Sequence, residues 1–326
     1  FTLLMVLSVH ISFAQERIVT GVVSDELGPV AGATVVVKGT SQGTTTDFDG
    51  NFSIKAKKGD VLQVSYVGSK QEITIGDQSV YNVKLKAMEL AEIDTILIGD
   101  SLGMAIQGRD STLPVTVEDM AYHTAAVRRG NSHALIMTDL PFMSYATLED
   151  GLKNAKAVMQ VGAQMVKIEG GAWLGELVQV LTRNGIPVCV HLGLTPQSVH
   201  VFGGYKLQAR TREAADQLIA DCQAVVDAGA AVLLLECVPA QLGQEIAELF
   251  PNTPVIGIGA GNATDGQVLV VQDMLGLTFG RVARFVRNFM KEQSGETAIL
   301  DAFKAFHAAV QDQSFPAKEH TFHVEL

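Results

Sequence analysis

QMVKIEGGAWLGELVQVLTRNGIPVCVHLGL, residues 164–194, holds two short apolar runs on either side of one helical stretch. QMVKIEGG and PVCVHLGL are too short for helices, rich in Val and Ile, and closed by small or polar residues, as strands buried on both faces are. Residues 174–184 between them read as a helix, so the stretch is a strand–helix–strand unit with parallel strands. The same pattern continues in both directions. IDTILIGDS (93–101), HALIMTDLP (133–141), AVLLLECVP (231–239), PVIGIGAG (254–261) and a weaker QVLVVQDMLG (267–276) are further runs, with helices expected at 148–161 and 212–228. Regular alternation over about 180 residues predicts an α/β fold, the (β/α)8 TIM-type barrel, with seven strands legible and the first βα unit missing.

In such barrels chemistry sits at the carboxyl ends of the strands. Asp100 follows ILIG, Asp139 follows LIMT, Lys167 and Glu169 flank Ile168, His191 follows VCV, and Glu236 follows LLL. Residues i and i+2 of a strand share a face, so Lys167 and Glu169 point into the mouth if Ile168 packs outward. Four carboxylates, one ammonium and one imidazole therefore converge among aliphatic side chains. Gathering carboxylates without a counter-charge is costly. Asp100, Asp139 and Glu169, from three strands, suit a hard divalent ion such as Mg²⁺. Glu236 is left for acid–base work, its pKa tuned by the apolar strand around it. The alternative is that each acid caps a following helix.

Composition narrows the field. The 326 residues carry 24 Lys+Arg against 35 Asp+Glu, a net charge of −11, and 47% are hydrophobic. The chain can bury a core, and its acidic balance argues against nucleic acid or anionic membrane as a partner. Cys189, Cys222 and Cys237 make neither a disulfide framework nor a C-x-x-C metal site, and read as buried thiols. Residues 1–87 hold eight basic and eight acidic side chains, so the whole excess falls in 88–326. The chain thus divides into 1–14, 15–87 and 88–326.

FTLLMVLSVHISFA, residues 1–14, is an apolar run ending in small residues, the pattern of a secretory signal peptide read from within. It is too short to span a bilayer. From 18 to 85, short runs rich in Thr, Val, Ile and Tyr alternate with Gly/Asp/Asn/Ser clusters, predicting an antiparallel sandwich of six or seven strands. Asp47 and Asp49 beside Gly50 read as a solvated hairpin rather than a calcium loop.

Two groups of motifs carry resemblances. V-x-G-x-V-x-D-x-x-G-P-V-x-G-A-x-V-x-V-x-G-T with T-D-x-x-G-x-F-x-I, over 18–86, resembles the carboxypeptidase-regulatory-like domain of TonB-dependent outer-membrane receptors. GDSLGM (99–104), YHTAAVRRG (122–130), DLPFMSY (139–145), MVKIEGG (165–171), HLGLTPQS (191–198), FGGYKLQ (202–208), LECVP (235–239), IGIGAGN (256–262) and EHTFH (319–323) resemble ketopantoate hydroxymethyltransferases over about 93–323. This second resemblance implies a transfer of a hydroxymethyl group from 5,10-methylenetetrahydrofolate to 3-methyl-2-oxobutanoate, giving 2-dehydropantoate for pantothenate synthesis. It implies Mg²⁺ held by Asp100, Asp139 and Glu169, some through water. It also implies substrate contacts from Ser101, Asp100, Asp139, Lys167 and His191, with Glu236 as the base. A cytoplasmic homo-oligomer, a decamer in the family, is implied too, and conflicts with an export signal at 1–14. The family's first strand and helix have no counterpart before GDSLG, where 83–92 stand instead.

Two other readings fit the residues: an exported β-sandwich binding module with an inactive barrel, and another Mg²⁺-dependent α-keto-acid lyase or mutase of the phosphoenolpyruvate-binding kind. Gly257, Gly259 and Gly261 are not spaced as a nucleotide loop and read as close backbone approach at a strand end. His123 with Arg128 and Arg129 reads as a helix face near a subunit contact. Residues 281–311 carry Val282, Phe285, Val286, Phe289 and Met290 at helical spacing and predict an amphipathic packing helix.

Overall fold

The computed structural model describes residues 16–25, 28–66, 69–85, 93–295 and 297–324. The signal-like run 1–14 and most of the seam at 83–92 lie outside them. The chain divides into two compact units, 1–88 and 89–326.

The first unit has strands β1 (Arg17–Ser24), β2 (Thr34–Val37), β3 (Gly43–Thr45), β4 (Asn51–Ala56), β5 (Val61–Tyr66), β6 (Ser69–Thr74) and β7 (Val83–Lys84). They form one sheet in the order β4-β1-β7 and another in the order β3-β2-β5-β6. All pairings are antiparallel except β1 with β7, which is parallel. Alternate residues point inward along β4, so Phe52, Ile54 and Ala56 are buried while Asn51, Ser53 and Lys55 are exposed, and the inner faces make one core with Val19, Val35, Leu62 and Val64. Asp47 accepts from the backbone N–H groups of Asp49 and Asn51 and from the Asn51 amide, the geometry of a hairpin turn.

The second unit runs β8 (Thr95–Ile98), α1 (Leu102–Ala105), α2 (Val117–Gly130), β9 (Leu135–Asp139), α3 (Leu148–Gln160), β10 (Met165–Glu169), α4 (Gly175–Arg183), β11 (Val188–Gly193), α5 (Val199–Phe202), α6 (Arg212–Asp227), β12 (Val232–Glu236), α7 (Ala240–Leu249), β13 (Val255–Ile258), β14 (Gly266–Gln267), α8 (Val271–Met274) and α9 (Ala298–Gln311). The seven strands lie side by side in sequence order, all parallel. Among the described residues β8 and β14 each pair on one side only, so the sheet is a barrel opened at one seam. Strong N-caps start the helices: Thr116, Thr147 and Thr211 each accept a backbone N–H from the first turn.

Strand parity sorts the side chains. Ile136, Val166, Ile168, Val190, Leu233 and Leu235 pack outward on Val158, Leu177, Leu181, Val225 and Leu242 of the helices. Met137, Met165, Cys189, Val232, Leu234 and Ile258 form a separate inner cluster. Asp139, Lys167, Glu169, His191 and Glu236 have the inner parity and continue it to the carboxyl ends.

Two expectations need correction. The last strand is only Gly266–Gln267; Val268, Leu269 and Val270 after it belong to neither strand nor helix, and α8 begins at Val271. The helix expected over 281–311 is confined to α9. Its upstream apolar residues are used singly instead: Phe285 packs over Gly259, where a Cβ would meet its ring at 2.9 Å, and Phe289 stacks edge-on with Phe306 and Phe315. Gly280 and Gly295, with φ of +90° and +85°, turn the chain before Phe285 and after Phe289. Periodicity without a common partner surface does not make a helix.

Candidate functional site

The carboxyl ends of β8 to β12 bring together every strand-end residue singled out above. Register does this: Asp139 pairs beside Lys167, Glu169 beside His191, and Glu236 beside Gly193. Lys167 Nζ lies 2.7 Å from Asp139 Oδ1 and 3.2 Å from Glu169 Oε1. His191 Nδ1 is 3.0 Å from Glu169 Oε1, and its Nε2 faces Glu236 Oε2 at 3.3 Å. The Asp100 N–H donates to Asp139 Oδ2 at 2.9 Å. Gly99 permits this crowding, because a Cβ there would meet Ser101 Oγ at 3.0 Å and Asp139 Oδ2 at 3.6 Å. Asp100, Asp139, Lys167, Glu169 and His191 are buried, whereas Glu236 is at the rim with 14% of its side chain exposed.

Charge decides what this cluster needs. Burial pushes the Glu169 carboxyl up, but Lys167 and His191 outweigh it and bring it down to about 2. Burial and Lys167 oppose the His191 cation, yet Glu169 and Glu236 hold its pKa up to about 9. Burial opposes the Lys167 ammonium too, and its carboxylate neighbours keep it well above the usual lysine range. Asp100 has no ion pair among the described residues, and burial, then Asp139 and Glu169, raise its carboxyl well above the ordinary value. Asp139 is also raised by burial, against the pull of Lys167. Asp100 is thus the buried carboxyl of the cluster without a cationic partner among the described residues, and its ionised form needs one.

A divalent cation fits that deficit. The donors are hard carboxylate oxygens, and Asp139 Oδ1, though close to Lys167, has no aligned hydrogen bond. Both Glu169 oxygens are engaged, Oε1 by Lys167 and His191 and Oε2 by the Gln197 N–H at 3.0 Å. No three His, Cys, Asp or Glu side chains among the described residues are grouped to hold a metal. Two carboxylates with retained water is an arrangement Mg²⁺ accepts. Asp100 and Asp139 are therefore the direct candidates, since both Glu169 oxygens are already committed.

Two participants escaped the sequence reading. Gln197 and Tyr145, both buried, link Asp100, Leu140 and Glu169. They stand in the loops after β9 and β11, inside DLPFMSY and LTPQS, beyond the strand ends where charged residues drew attention. His123, Arg128 and Arg129 lie on α2, and Arg128 packs against Gly162. Gly259 and Gly261 adopt φ of +65° and +87° and pack tightly on Phe285 and Ala240, as close backbone approach requires.

All three thiols are buried, and burial pushes Cys189 and Cys222 up to about 12 and Cys237 higher. A folded chain is therefore expected to leave an aromatic disulfide reagent unreacted at pH 8, and three thiols to react once guanidinium unfolds it. Fast labelling of native protein would contradict the burial.

No helix among the described residues is long and apolar enough to cross a membrane. Residues 19–98 match the family described as CarboxypepD_reg-like domain, and residues 70–318 match that described as ketopantoate hydroxymethyltransferase. A 3-methyl-2-oxobutanoate hydroxymethyltransferase of Acinetobacter baumannii (strain SDF) is 95% identical over 74% of this chain and 90% of its own. One of Psychrobacter sp. (strain PRwf-1) is 57% identical over 73% of this chain and 89% of its own. Among solved structures, a 2,3-dimethylmalate lyase of the PEP mutase/isocitrate lyase superfamily aligns with TM-score 0.37 and 16% identity, covering 50% of this chain and 58% of that one. With a matched family over most of its length and with relatives this similar, the chain belongs to the ketopantoate hydroxymethyltransferase family.

Proposed function

We propose that the chain transfers a hydroxymethyl group from 5,10-methylenetetrahydrofolate to 3-methyl-2-oxobutanoate, giving 2-dehydropantoate, with Mg²⁺ held by Asp100 and Asp139. The observation that carries the proposal is Asp100, buried beside Asp139 with no cationic partner among the described residues, in a site with Glu236 at its rim. Bound there, Mg²⁺ would polarise the ketone of a chelating keto acid and acidify the neighbouring C–H. Ser101 and Lys167 bind the substrate carboxylate. His191 offers to the keto side its buried Nε2, which faces Glu236 Oε2 at 3.3 Å without an aligned hydrogen bond. Water releases the one-carbon unit from the folate as formaldehyde, with tetrahydrofolate departing. Glu236 removes the C3 proton, the carbanion equivalent forms the new C–C bond to that aldehyde carbon, and protonated Glu236 returns the proton to the resulting alkoxide. Glu169 holds Lys167 and His191 in their charged forms throughout. The aliphatic inner cluster beneath the site keeps bulk water from that side.

The homo-oligomer, the decamer in particular, belongs to this proposal, and so does a cytoplasmic location, where both substrates are found. The β-sandwich unit carries no part of the chemistry in this reading.

The test is 2-dehydropantoate formation from both substrates, with Mg²⁺ and after chelation. Turnover that needs Mg²⁺ and folate together is expected. Cleavage or rearrangement of a keto acid without folate would favour a lyase or mutase, and a folded, inactive chain would sink the proposal.

A further inference from the structure

Gln197 does more at the mouth than any charged residue's direct neighbour requires. Its backbone N–H donates to Glu169 Oε2 at 3.0 Å, and its Nε2 donates to Asp100 Oδ2 at 2.8 Å and to the Leu140 carbonyl at 3.0 Å. Its Oε1 accepts from Tyr145 Oη–H at 2.6 Å. The orientation of the amide is fixed by these partners. The Leu140 carbonyl can only accept, so the NH₂ group must face it. Tyr145 Oη accepts the Glu169 N–H at 3.2 Å, and its single proton has Gln197 Oε1 at 2.6 Å as a much nearer acceptor than the Glu169 carbonyl at 3.3 Å. Both residues are buried, so water does not compete for these bonds.

We infer that Gln197, keyed by Tyr145, is a positioning residue that prepares the two sides of the site for a divalent cation. It ties up the second Glu169 oxygen, which removes that carboxylate from direct ligation. It also occupies Asp100 Oδ2 alone, which leaves Oδ1 as the atom free to ligate. The bracket joins the ends of β8, β9, β10 and β11 through one residue, its side-chain amide reaching Asp100 and Leu140 and its backbone N–H reaching Glu169, in a sheet whose described strands β8 and β14 each pair on one side only. Asp100 follows β8, an edge strand among the described residues, so its orientation depends on this bond more than that of Asp139 or Glu169 does.

The inference rests on the proposed function, and one titration separates the two. Mn²⁺ binding, followed by electron paramagnetic resonance, is measured on the full chain as wild type, Gln197→Met and Tyr145→Phe, with thermal unfolding recorded for each. Outer-shell partners of metal ligands characteristically change metal affinity by about 10–100-fold, and that loss is expected for Gln197→Met. Tyr145→Phe, which removes one hydroxyl and leaves the amide in place, is expected to weaken Mn²⁺ by about 3–10-fold. A bracket that only supports the fold would lower the melting temperature and leave the affinity of the folded fraction unchanged. Mn²⁺ affinity within twofold of wild type in a folded Gln197→Met overturns the inference. If that variant does not fold, an unchanged affinity in Tyr145→Phe does the same. Wild type that binds no Mn²⁺ overturns the inference, whereas wild type that binds Mn²⁺ but forms no 2-dehydropantoate overturns the proposed function.

Discussion

Glu236→Gln is expected to form 2-dehydropantoate about 10²–10⁴-fold more slowly than wild type, the range spanned by removal of a positioned general base. The effect should fall on kcat. Among the described residues Glu236 meets the rest of the cluster through His191 Nε2 at 3.3 Å and lies at the rim, so the variant keeps the buried carboxylates and their cations in place. Its Mg²⁺ affinity is therefore expected to stay within about twofold of wild type, since no hydrogen bond to Asp100 or Asp139 is lost. The proton-removal step can be isolated from the transfer. With the keto acid in D₂O and no folate, wild type should exchange the C3 hydrogen for deuterium, visible as loss of its NMR signal. The glutamine variant should not, because an amide cannot accept that proton at neutral pH. Rapid exchange by Glu236→Gln would move the base elsewhere.

The barrel was legible because parallel strands buried on both faces leave long Val/Ile/Leu runs, and each such run in residues 93–261 is a strand. The direction of Lys167 and Glu169 followed from parity once Ile168 was taken as outward, and Ile168 does lie in the helix-facing core. What failed was reading periodicity as a helix over 281–297. Phe285 and Phe289 satisfy a helical stripe in the sequence, but each answers to a different pocket. The residue types at the site were equally legible, since charges at strand ends stand out against apolar runs. Their division of labour was not. Sequence grouped Glu169 with Asp100 and Asp139 as like carboxylates, whereas hydrogen bonds from Gln197, Lys167 and His191 commit both of its oxygens. Uncharged Gln197 and Tyr145 sit beyond the strand ends in loops, where spacing carries no signal of what they touch.

Lys167→Met tests the electrostatic frame rather than the chemistry. Lys167 is buried and pairs with two carboxylates that are equally buried. Removing one partner of a buried ion pair leaves an uncompensated charge and costs about 3–5 kcal/mol. In a unit of this size that corresponds to a fall of roughly 6–20 °C in melting temperature. The loss has a predictable pH dependence. In wild type, Lys167 and His191 hold Glu169 down to about 2, so its stabilising contribution is fully present above the ordinary glutamate value of 4.5 and disappears only as the pH falls through about 2. In the variant the largest cause that lowers Glu169 is gone, and burial drives its carboxyl, with that of Asp139, upward. A carboxyl raised on folding destabilises increasingly as the pH climbs above its unfolded value. The gap between variant and wild type should therefore be smaller at pH 5 than at pH 8, measured by thermal unfolding in the presence of chelator. Lys167→Met combined with Asp139→Asn removes one uncompensated charge along with the cation, and is expected to recover part of the loss. A melting temperature within about 3 °C of wild type at pH 8 would mean that the buried carboxylates are not ionised, and the charge deficit that calls for a divalent cation would vanish with them.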